Sequence, residues 1–341
     1  ITADAYGGLA DGQCFKSTVP LETGESSLTT NIGSVQNAGI ELGVNFGVIR
    51  NQNFTWDVNV AFARNWSKIK ELPSGDDVSN NWFIGERLNV LRDYTYAGVI
   101  TADGVTMHTI NGDKHYTLQE VYDKYGPKSP NKLKWYEGQM AVNDWNDDGK
   151  INDEDKQIYG CTDPKWTGSL SSTMTYKGFD FSFMLYTKQG QWSRSYFHEQ
   201  YMDISDRGRQ KMSFDYYIPA GTPVLDKATG DITYLETPHM GAYPYPNNYE
   251  KTGGGYFSKS SSGVRYQKTS FVKVKNITLG YTFPKKWMSK IAVKHLRLYV
   301  NVLNPFCFTG YDGFDPEWAS ANLTDGGPAS ITYQIGANIK F

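Results

Sequence analysis

The sequence has no long apolar run and no surplus of charge of either sign. No stretch approaches the about 18 consecutive apolar residues of a membrane-spanning helix. Lysine and arginine together number 34 and aspartate and glutamate 36, so the formal net charge is −2. These absences exclude a helical membrane protein. The balanced charge also argues against a nucleic-acid-binding protein, because such a protein carries a basic surplus.

Cysteines and catalytic motifs are also scarce. Three cysteines stand far apart (Cys14, Cys161 and Cys307) without a CxxC spacing, so no disulfide framework is predicted, although one pair remains able to bridge. The nucleophile elbow, the phosphate-binding P-loop and the dinucleotide fingerprint do not occur. His198-Glu199 begins like the zinc motif HExxH, but Met202 stands where the second histidine is needed. We therefore predict that the chain is not an enzyme.

Aromatic residues, by contrast, make up 15% of the chain, and many of them fall in segments that alternate between apolar and polar residues. The clearest segment is 54–65, with apolar side chains at every second position (Phe54, Trp56, Val58, Val60, Phe62). Six further segments show the same pattern, near 40–46, 166–177, 179–185, 270–283, 296–302 and 331–341. A period of two predicts β-strands with one apolar face. At about 10 to 14 residues, these strands are long enough to cross a bilayer.

The connections between these segments alternate strictly in length. Short connections (48–52, 178, 284–293) follow one end of the strands, and long ones (67–165, 191–269, 305–329) follow the other. Outer-membrane barrels have short periplasmic turns and long extracellular loops. We therefore predict that 67–165 and 191–269 are extracellular loops. Residues 11–35 would be another such loop, and 1–6 the end of a partial eighth strand.

The fold predicted on these grounds is all-β, a membrane β-barrel whose apolar face contacts membrane lipid. Seven strands and part of an eighth cannot close such a barrel, so the chain is expected to be a C-terminal portion of a larger one. A soluble antiparallel sheet with one wet face alternates in the same way. The alternative is therefore a soluble or secreted β-rich carbohydrate-binding module stabilised by calcium.

The sharpest local motif is a pattern of oxygen-bearing side chains at residues 144–155. It follows the twelve-residue calcium loop of EF-hands, with Gly149 at the sharp turn and an aspartate in place of the usual final glutamate. The predicted ligands stand at positions one, three, five, seven, nine and twelve: Asp144, Asn146, Asp148, the backbone carbonyl of Lys150, Asn152 and Asp155. Alternate oxygens at flexible spacing suit Ca²⁺ better than Mg²⁺. We predict a structural calcium ion here; the alternative is a solvated acidic turn.

Several motifs together resemble the SusC/RagA-type TonB-dependent outer-membrane transporters. They are the strand entry Asn31–Leu42, the loop Asp144–Asp155 followed by Gly160 and Pro164, the turn Tyr176–Asp180, the strand Ser270–Tyr281, the segment Leu296–Asn304 with Asp315-Pro316-Glu317, and the terminal Phe341. They occur in the family's order and extend over about residues 31–341.

The resemblance implies a 22-stranded barrel in the bacterial outer membrane, of which this chain is the last third. An N-terminal plug and TonB box, absent from this chain, would precede Ile1. The family imports oligosaccharides, or in some members peptides, with energy supplied through TonB. A SusD-like surface lipoprotein closes over the ligand as a lid, and a dimer of transporter–lipoprotein pairs is a further possibility.

The segment 191–269 is rich in tyrosine and tryptophan, whose flat faces suit sugar rings and protein partners equally. The residues we expect to contact substrate or partner are Trp192, Tyr196, Tyr201, Tyr243 and Tyr245. The alternative is a small aromatic core within the loop itself.

Overall fold

The computed structural model describes residues 1–12, 14–18, 27–31, 33–73, 75–125, 136–201, 215–245, 265–288, 293–321 and 329–341. Within these ranges, no helix has the length and apolar character needed to cross a membrane. The described strands, numbered along the chain, are β1 Thr2–Ala10, β2 Cys14–Thr18, β3 Ser27–Asn31, β4 Ser34–Arg50, β5 Phe54–Glu71, β6 Val90–Tyr94, β7 Tyr96–Val99, β8 Val105–Thr109, β9 Gly112–Tyr116, β10 Met140–Val142, β11 Lys156–Cys161, β12 Trp166–Tyr176, β13 Phe179–Gln189, β14 Trp192–Arg194, β15 Pro223–Leu225, β16 Ile232–Tyr234, β17 Tyr266–Lys268, β18 Phe271–Thr282, β19 His295–Thr309 and β20 Thr332–Lys340. The α-helices are α1 Leu118–Tyr125, α2 Tyr196–Tyr201 and α3 Lys285–Met288, and 3-10 turns lie at Asp153–Asp155 and Pro316–Trp318.

One large antiparallel sheet dominates the structure, with strand order β1-β4-β5-β12-β13-β18-β19-β20. Each strand pairs with the next long strand along the chain, which is the up-and-down order of a barrel wall. The seven predicted segments coincide with β4, β5, β12, β13, β18, β19 and β20, and β1 is the eighth strand. The all-β prediction is confirmed.

Several boundaries differ from the prediction, since β4 (Ser34–Arg50) and β5 (Phe54–Glu71) both continue into residues that were assigned to connections. The first strand continues to Ala10 rather than ending at Tyr6, because its pairing with β4 persists as far as Val35. Strand β19 also passes through Pro305, where a loop was expected. Asn304 has a positive φ of 52°, and the register with β18 shifts at this point, so the proline lies in a bulge that needs no hydrogen bond from its nitrogen.

The two faces of the large sheet differ in polarity, as the alternation predicts. In one cross-strand row the apolar side chains of Leu279, Val300 and Ile335 lie side by side, and they are 52%, 44% and 86% exposed. In the adjacent row, Thr278 donates a hydrogen bond to Asn301, which in turn donates to Gln334. A soluble carbohydrate-binding module would cover the apolar face with a core; here nothing in the described ranges covers it.

The main buried core lies outside this sheet, in the connection between β5 and β12. Here β6 to β11 form short two-stranded pairs around α1. Thr117 and Glu120 cap this helix reciprocally, each side chain accepting from the other residue's backbone N–H. The buried cluster consists of Ile100, Val105, Met107, Val121, Tyr122, Tyr125, Tyr136, Ala141 and Val142. The segment expected to be a long loop is thus a small folded unit, which we call the 90–161 unit.

Candidate functional site

The calcium-type loop leaves β10 and turns sharply. Gly149 (φ 82°) and Asp147 (φ 63°) both have left-handed backbone conformations, and glycine adopts that conformation at the lowest cost. Successive backbone N–H groups then donate to side-chain oxygens two residues earlier. The N–H of Asp148 lies 3.1 Å from Asn146 Oδ1, and that of Lys150 lies 2.8 Å from Asp148 Oδ1. These turns fix the side-chain oxygens of Asn146 and Asp148 against the backbone of the loop.

The loop closes on the 3-10 turn Asp153–Asp155, for which Asn152 is the N-cap. The N–H of Asn152 donates to Asp155 Oδ2 at 2.8 Å, and Asn152 Oδ1 accepts from the N–H of Glu154 at 2.8 Å. Asp155 is fully buried, and this burial raises the pKa of its carboxyl, against the lowering effect of backbone hydrogen bonds from Asn152 and Asn146. The carboxylate of Asp155, the last predicted ligand, therefore lies next to the backbone of Asn146 near the start of the loop.

Asp144, the first predicted ligand, is also fully buried. Its Oδ2 accepts hydrogen bonds from the Tyr125 hydroxyl (2.6 Å), the Gly149 N–H (2.9 Å) and the Lys124 ammonium (3.3 Å). Its Oδ1 has no partner among the described residues. In the same ranges no three His, Cys, Asp or Glu side chains converge, so a metal here would also need the amide and backbone oxygens.

The aromatic residues predicted for ligand contact pack mainly against other connections. Trp192, in β14, contacts the ring of Tyr159 with the centroids 5.7 Å apart. The Arg194 guanidinium lies over the Tyr196 ring at 5.3 Å, and the N–H of Tyr245 donates to the carbonyl of Gly138. The side chain of Tyr201 lies outside the described residues. The contacts to Tyr159 and Gly138 lie in the 90–161 unit rather than in a core within 191–269, and ligand contact stays a prediction.

Tyr243 belongs to a partly buried polar network that the sequence analysis missed. Its hydroxyl donates to Asp312, and Asp312 Oδ1 lies 2.7 Å from His198 Nε2. His198 Nδ1 in turn lies 2.7 Å from Ser195 Oγ, which is 2.6 Å from the Tyr311 hydroxyl. Ser195 and His198 are both fully buried, so this serine cannot meet a substrate, and the network instead joins the segment after β13 to the segment after β19. No sequence signal marks it, because its halves are more than 110 residues apart.

Charged side chains near the start of β18 form ion pairs with the segment that follows β19. The Lys273 ammonium lies 2.9 Å from an Asp315 oxygen and 2.5 Å from a Glu317 oxygen, and Lys275 lies 2.7 Å from Glu317. Burial opposes ionisation of Glu317, but hydrogen bonds from the two lysines hold the pKa of its carboxyl below the usual value. Asp315 also caps the 3-10 turn Pro316–Trp318, so the pairs fix the start of that turn over the sheet.

Asp93, which is buried in the 90–161 unit, makes a third set of hydrogen bonds between distant segments. Its carboxylate accepts hydrogen bonds from Arg265 (2.6 Å) and from the Tyr266 hydroxyl (2.9 Å). The Tyr266 ring also contacts that of Tyr159. The three long connections are therefore bonded to one another and to the sheet, rather than extending separately.

Comparison with known proteins agrees with this architecture. No family model matches the chain. It is 29% identical over 372 residues to TonB-dependent receptor P39 of Formosa agariphila, covering all of this chain and 34% of that protein. It is 27% identical to TonB-dependent receptor SusC of Bacteroides thetaiotaomicron, covering 99% of this chain and 30% of that protein. Among solved structures, one chain of the RagAB peptide transporter superposes with a TM-score of 0.66 at 17% identity, covering 99% of this chain and 33% of that one.

The chain thus spans about a third of the length of the relatives that it matches. The structural likeness shows the barrel fold, and the curated relatives are named as receptors rather than as enzymes. The recognition made from the motifs is confirmed: over its whole length the chain is similar to a C-terminal third of the SusC/RagA-type TonB-dependent transporters, β-barrels of the bacterial outer membrane.

Proposed function

We propose that this chain forms part of the channel wall of a TonB-dependent importer of oligosaccharides or peptides. In this proposal a SusD-like surface lipoprotein covers the outer mouth. TonB supplies energy through a plug that is not part of these 341 residues. In the same proposal, two transporter–lipoprotein pairs associate as a dimer.

The observation that carries the proposal is the difference between the two faces of the eight-stranded sheet. An uncovered apolar face suits hydrocarbon, and a face of small polar side chains suits a solvated passage. Near the short turns, Arg297 reaches across the polar face and donates from Nε and Nη2 to the two carboxylate oxygens of Asp180 (2.9 and 2.5 Å). Such a pair can stay charged only where water reaches it, since two charges in hydrocarbon are costly.

The comparisons support import but leave the cargo open. One relative is named SusC, and the solved structures are described as a peptide transporter or importer, recorded in closed-closed and open-open states. The names belong to those proteins. For this chain we carry over the transport mechanism and retain both cargo classes, because no described residue distinguishes a sugar from a peptide.

The hairpin β15–β16 offers a surface for the lipoprotein. Three large apolar side chains of this hairpin, Leu225, Ile232 and Tyr234, are about two-thirds exposed (65%, 67% and 67%), and Met240 nearby is 64% exposed. An exposed apolar group of this kind on a polar segment is typical of a protein contact. We therefore assign the hairpin to the partner contact.

The proposal is tested by growth and by co-purification. A strain lacking the protein should lose growth on oligopeptides or on one class of oligosaccharide as sole nutrient while keeping growth on the monomers, and loss of TonB should have the same effect. Replacing Leu225 and Tyr234 together by aspartate should remove a co-purifying lipoprotein, whereas Thr233→Asp, on the same strand, should retain it. Unchanged growth on every polymer tested, or a fully water-soluble protein, would contradict the proposal.

A further inference from the structure

We infer that residues 144–155 form a selective Ca²⁺ site, with Asp144 and Asp155 as its buried anchoring carboxylates. Asn146, the Lys150 carbonyl and Asn152 would supply further oxygens, and Asp148, which does not converge with the other two acids in the described ranges, would contribute through a bridging water. The inference is independent of what the channel transports. It rests on the geometry of the loop, which adds three observations to the residue pattern.

The first observation is the unpartnered oxygen of Asp144. All three donors near this carboxylate, from Tyr125, Gly149 and Lys124, bind Oδ2, and none binds the buried Oδ1. A buried carboxylate oxygen without a partner is costly, and such atoms are rare in native proteins. A cation on Oδ1 removes that cost while leaving every existing hydrogen bond to Oδ2 in place.

The second observation is that the loop already has the turns a bound cation requires. Asn146 Oδ1 and Asp148 Oδ1 each accept a backbone N–H from two residues further on, which fixes the direction of both side chains. Since those turns are formed by the chain itself, an ion would not have to order the loop. Binding costs less conformational entropy when the ligands are arranged beforehand.

The third observation is the position of Asp155. This residue is twelfth in the loop, and its carboxylate lies close enough to the loop's start for Oδ1 to face the Asn146 N–H at 3.4 Å. The two buried carboxylates therefore belong to one small region of the loop. A divalent cation that lies between two carboxylates is attracted to both of them.

Calcium is the cation that the donor set fits. The site offers acid, amide and carbonyl oxygens at flexible spacing, whereas Mg²⁺ demands a small, near-ideal octahedron and keeps several waters. Zinc is disfavoured because the loop supplies neither histidine nor cysteine.

The ion would stabilise the 90–161 unit as a whole. Asp144 is bonded to Tyr125 at the end of α1, and Ile151, inside the loop, packs against the buried cluster of this unit. The loop's anchoring acid and its central apolar residue thus both contact the core. Occupancy should therefore protect α1 and β10 from opening as well as the loop.

Trp145, the second residue of the loop, provides a direct assay, because an indole beside a bound Tb³⁺ transfers excitation energy to it. The protein is purified from outer membranes in detergent and titrated with Tb³⁺. We expect luminescence excited through tryptophan that Ca²⁺ displaces and that Mg²⁺ at the same concentration does not. Asp144→Asn should weaken Tb³⁺ and Ca²⁺ binding by about tenfold or more, since ligand charge sets the affinity of such loops.

The matched control is Asp147→Asn, which removes the same charge from the same loop. Asp147 stands fourth in the pattern and pairs with Lys114 instead of facing the predicted ion, so this variant should bind Ca²⁺ within about threefold of the wild type. If Asp144→Asn fails to reach the membrane, Asp155→Glu is measured instead, and it should bind more tightly because it restores the longer final ligand. Equal binding by the wild type and Asp144→Asn (or Asp155→Glu, where that variant replaces it), or equal displacement by Mg²⁺, would overturn the inference.

Discussion

Replacing Val300 by arginine should strongly destabilise the barrel, because this side chain points away from the polar face at mid-depth. Val300 lies five residues beyond the start of β19, which is roughly 16 Å along a strand and about 12 Å along the membrane normal after tilt. That is near the middle of an apolar band about 25 Å tall. Its register neighbours, Leu279 and Ile335, offer no polar partner to a guanidinium.

A lipid-facing arginine at this depth costs about 2–4 kcal/mol, a roughly 30- to 700-fold loss in the folding equilibrium. Gln334→Arg, one residue away in register but on the polar face, should cost less than about 1 kcal/mol, because its charge stays in water. The assay is urea unfolding of protein folded into lipid vesicles, followed by tryptophan fluorescence. The reasoning is refuted if the two variants lose equal stability, or if Gln334→Arg loses more.

Three further outcomes follow from the outer segments. The depressed pKa of Glu317, paired with Lys273, contributes stability that is complete above the ordinary carboxyl pKa of about 4 and is lost as pH falls below it. The exchange protection factors at 311–321, corrected for the intrinsic exchange rate at each pH, should therefore fall on acidification, and Glu317→Gln should show the lowered protection already at neutral pH. Tyr243→Phe removes a hydrogen bond to the charged Asp312 and should cost about 1.5–3 kcal/mol locally, measured as faster proteolysis of the segments it joins; unchanged cleavage would contradict that role. Gly104→Ala should destabilise the 90–161 unit by at least about 1–3 kcal/mol, because the φ of Gly104 is 108° and the added Cβ would overlap the main-chain carbonyl oxygen of Tyr116. The expected observation is a loss of hydrogen-exchange protection in that unit alone.

The strands could be predicted from the sequence because their signal is local. Residues 54–65 show the period of two directly, and the pairing of β5 with its neighbours required only the order of the segments. The bulge at Asn304 could not be predicted, because a proline after an asparagine is as typical of a loop as of a bulge. Only the partner strand determines which of the two forms.

The long connections were the least predictable part of the chain. Their contacts join residues far apart in sequence, such as Asp93 with Arg265, and no periodic pattern in the sequence indicates which residues pair in this way. The calcium-type loop could be proposed from the sequence because all of its oxygens fall within twelve residues, and ion binding there stays a prediction. The unpartnered oxygen of Asp144 could not be predicted, since it depends on where Tyr125 and Lys124 lie in the folded unit.

The most direct test of the account is the environment of adjacent residues on β18, measured with nitroxide spin labels in lipid vesicles. Single cysteines are introduced at Asn276, Ile277, Thr278 and Leu279 after the three native cysteines have been replaced by alanine. We predict alternation, with labels at Ile277 and Leu279 accessible to oxygen dissolved in lipid and labels at Asn276 and Thr278 accessible to a water-soluble nickel chelate. Labels at Ile277 and Leu279 that are shielded from both reagents, as in a protein core, would contradict the membrane-facing wall on which the proposed transport depends.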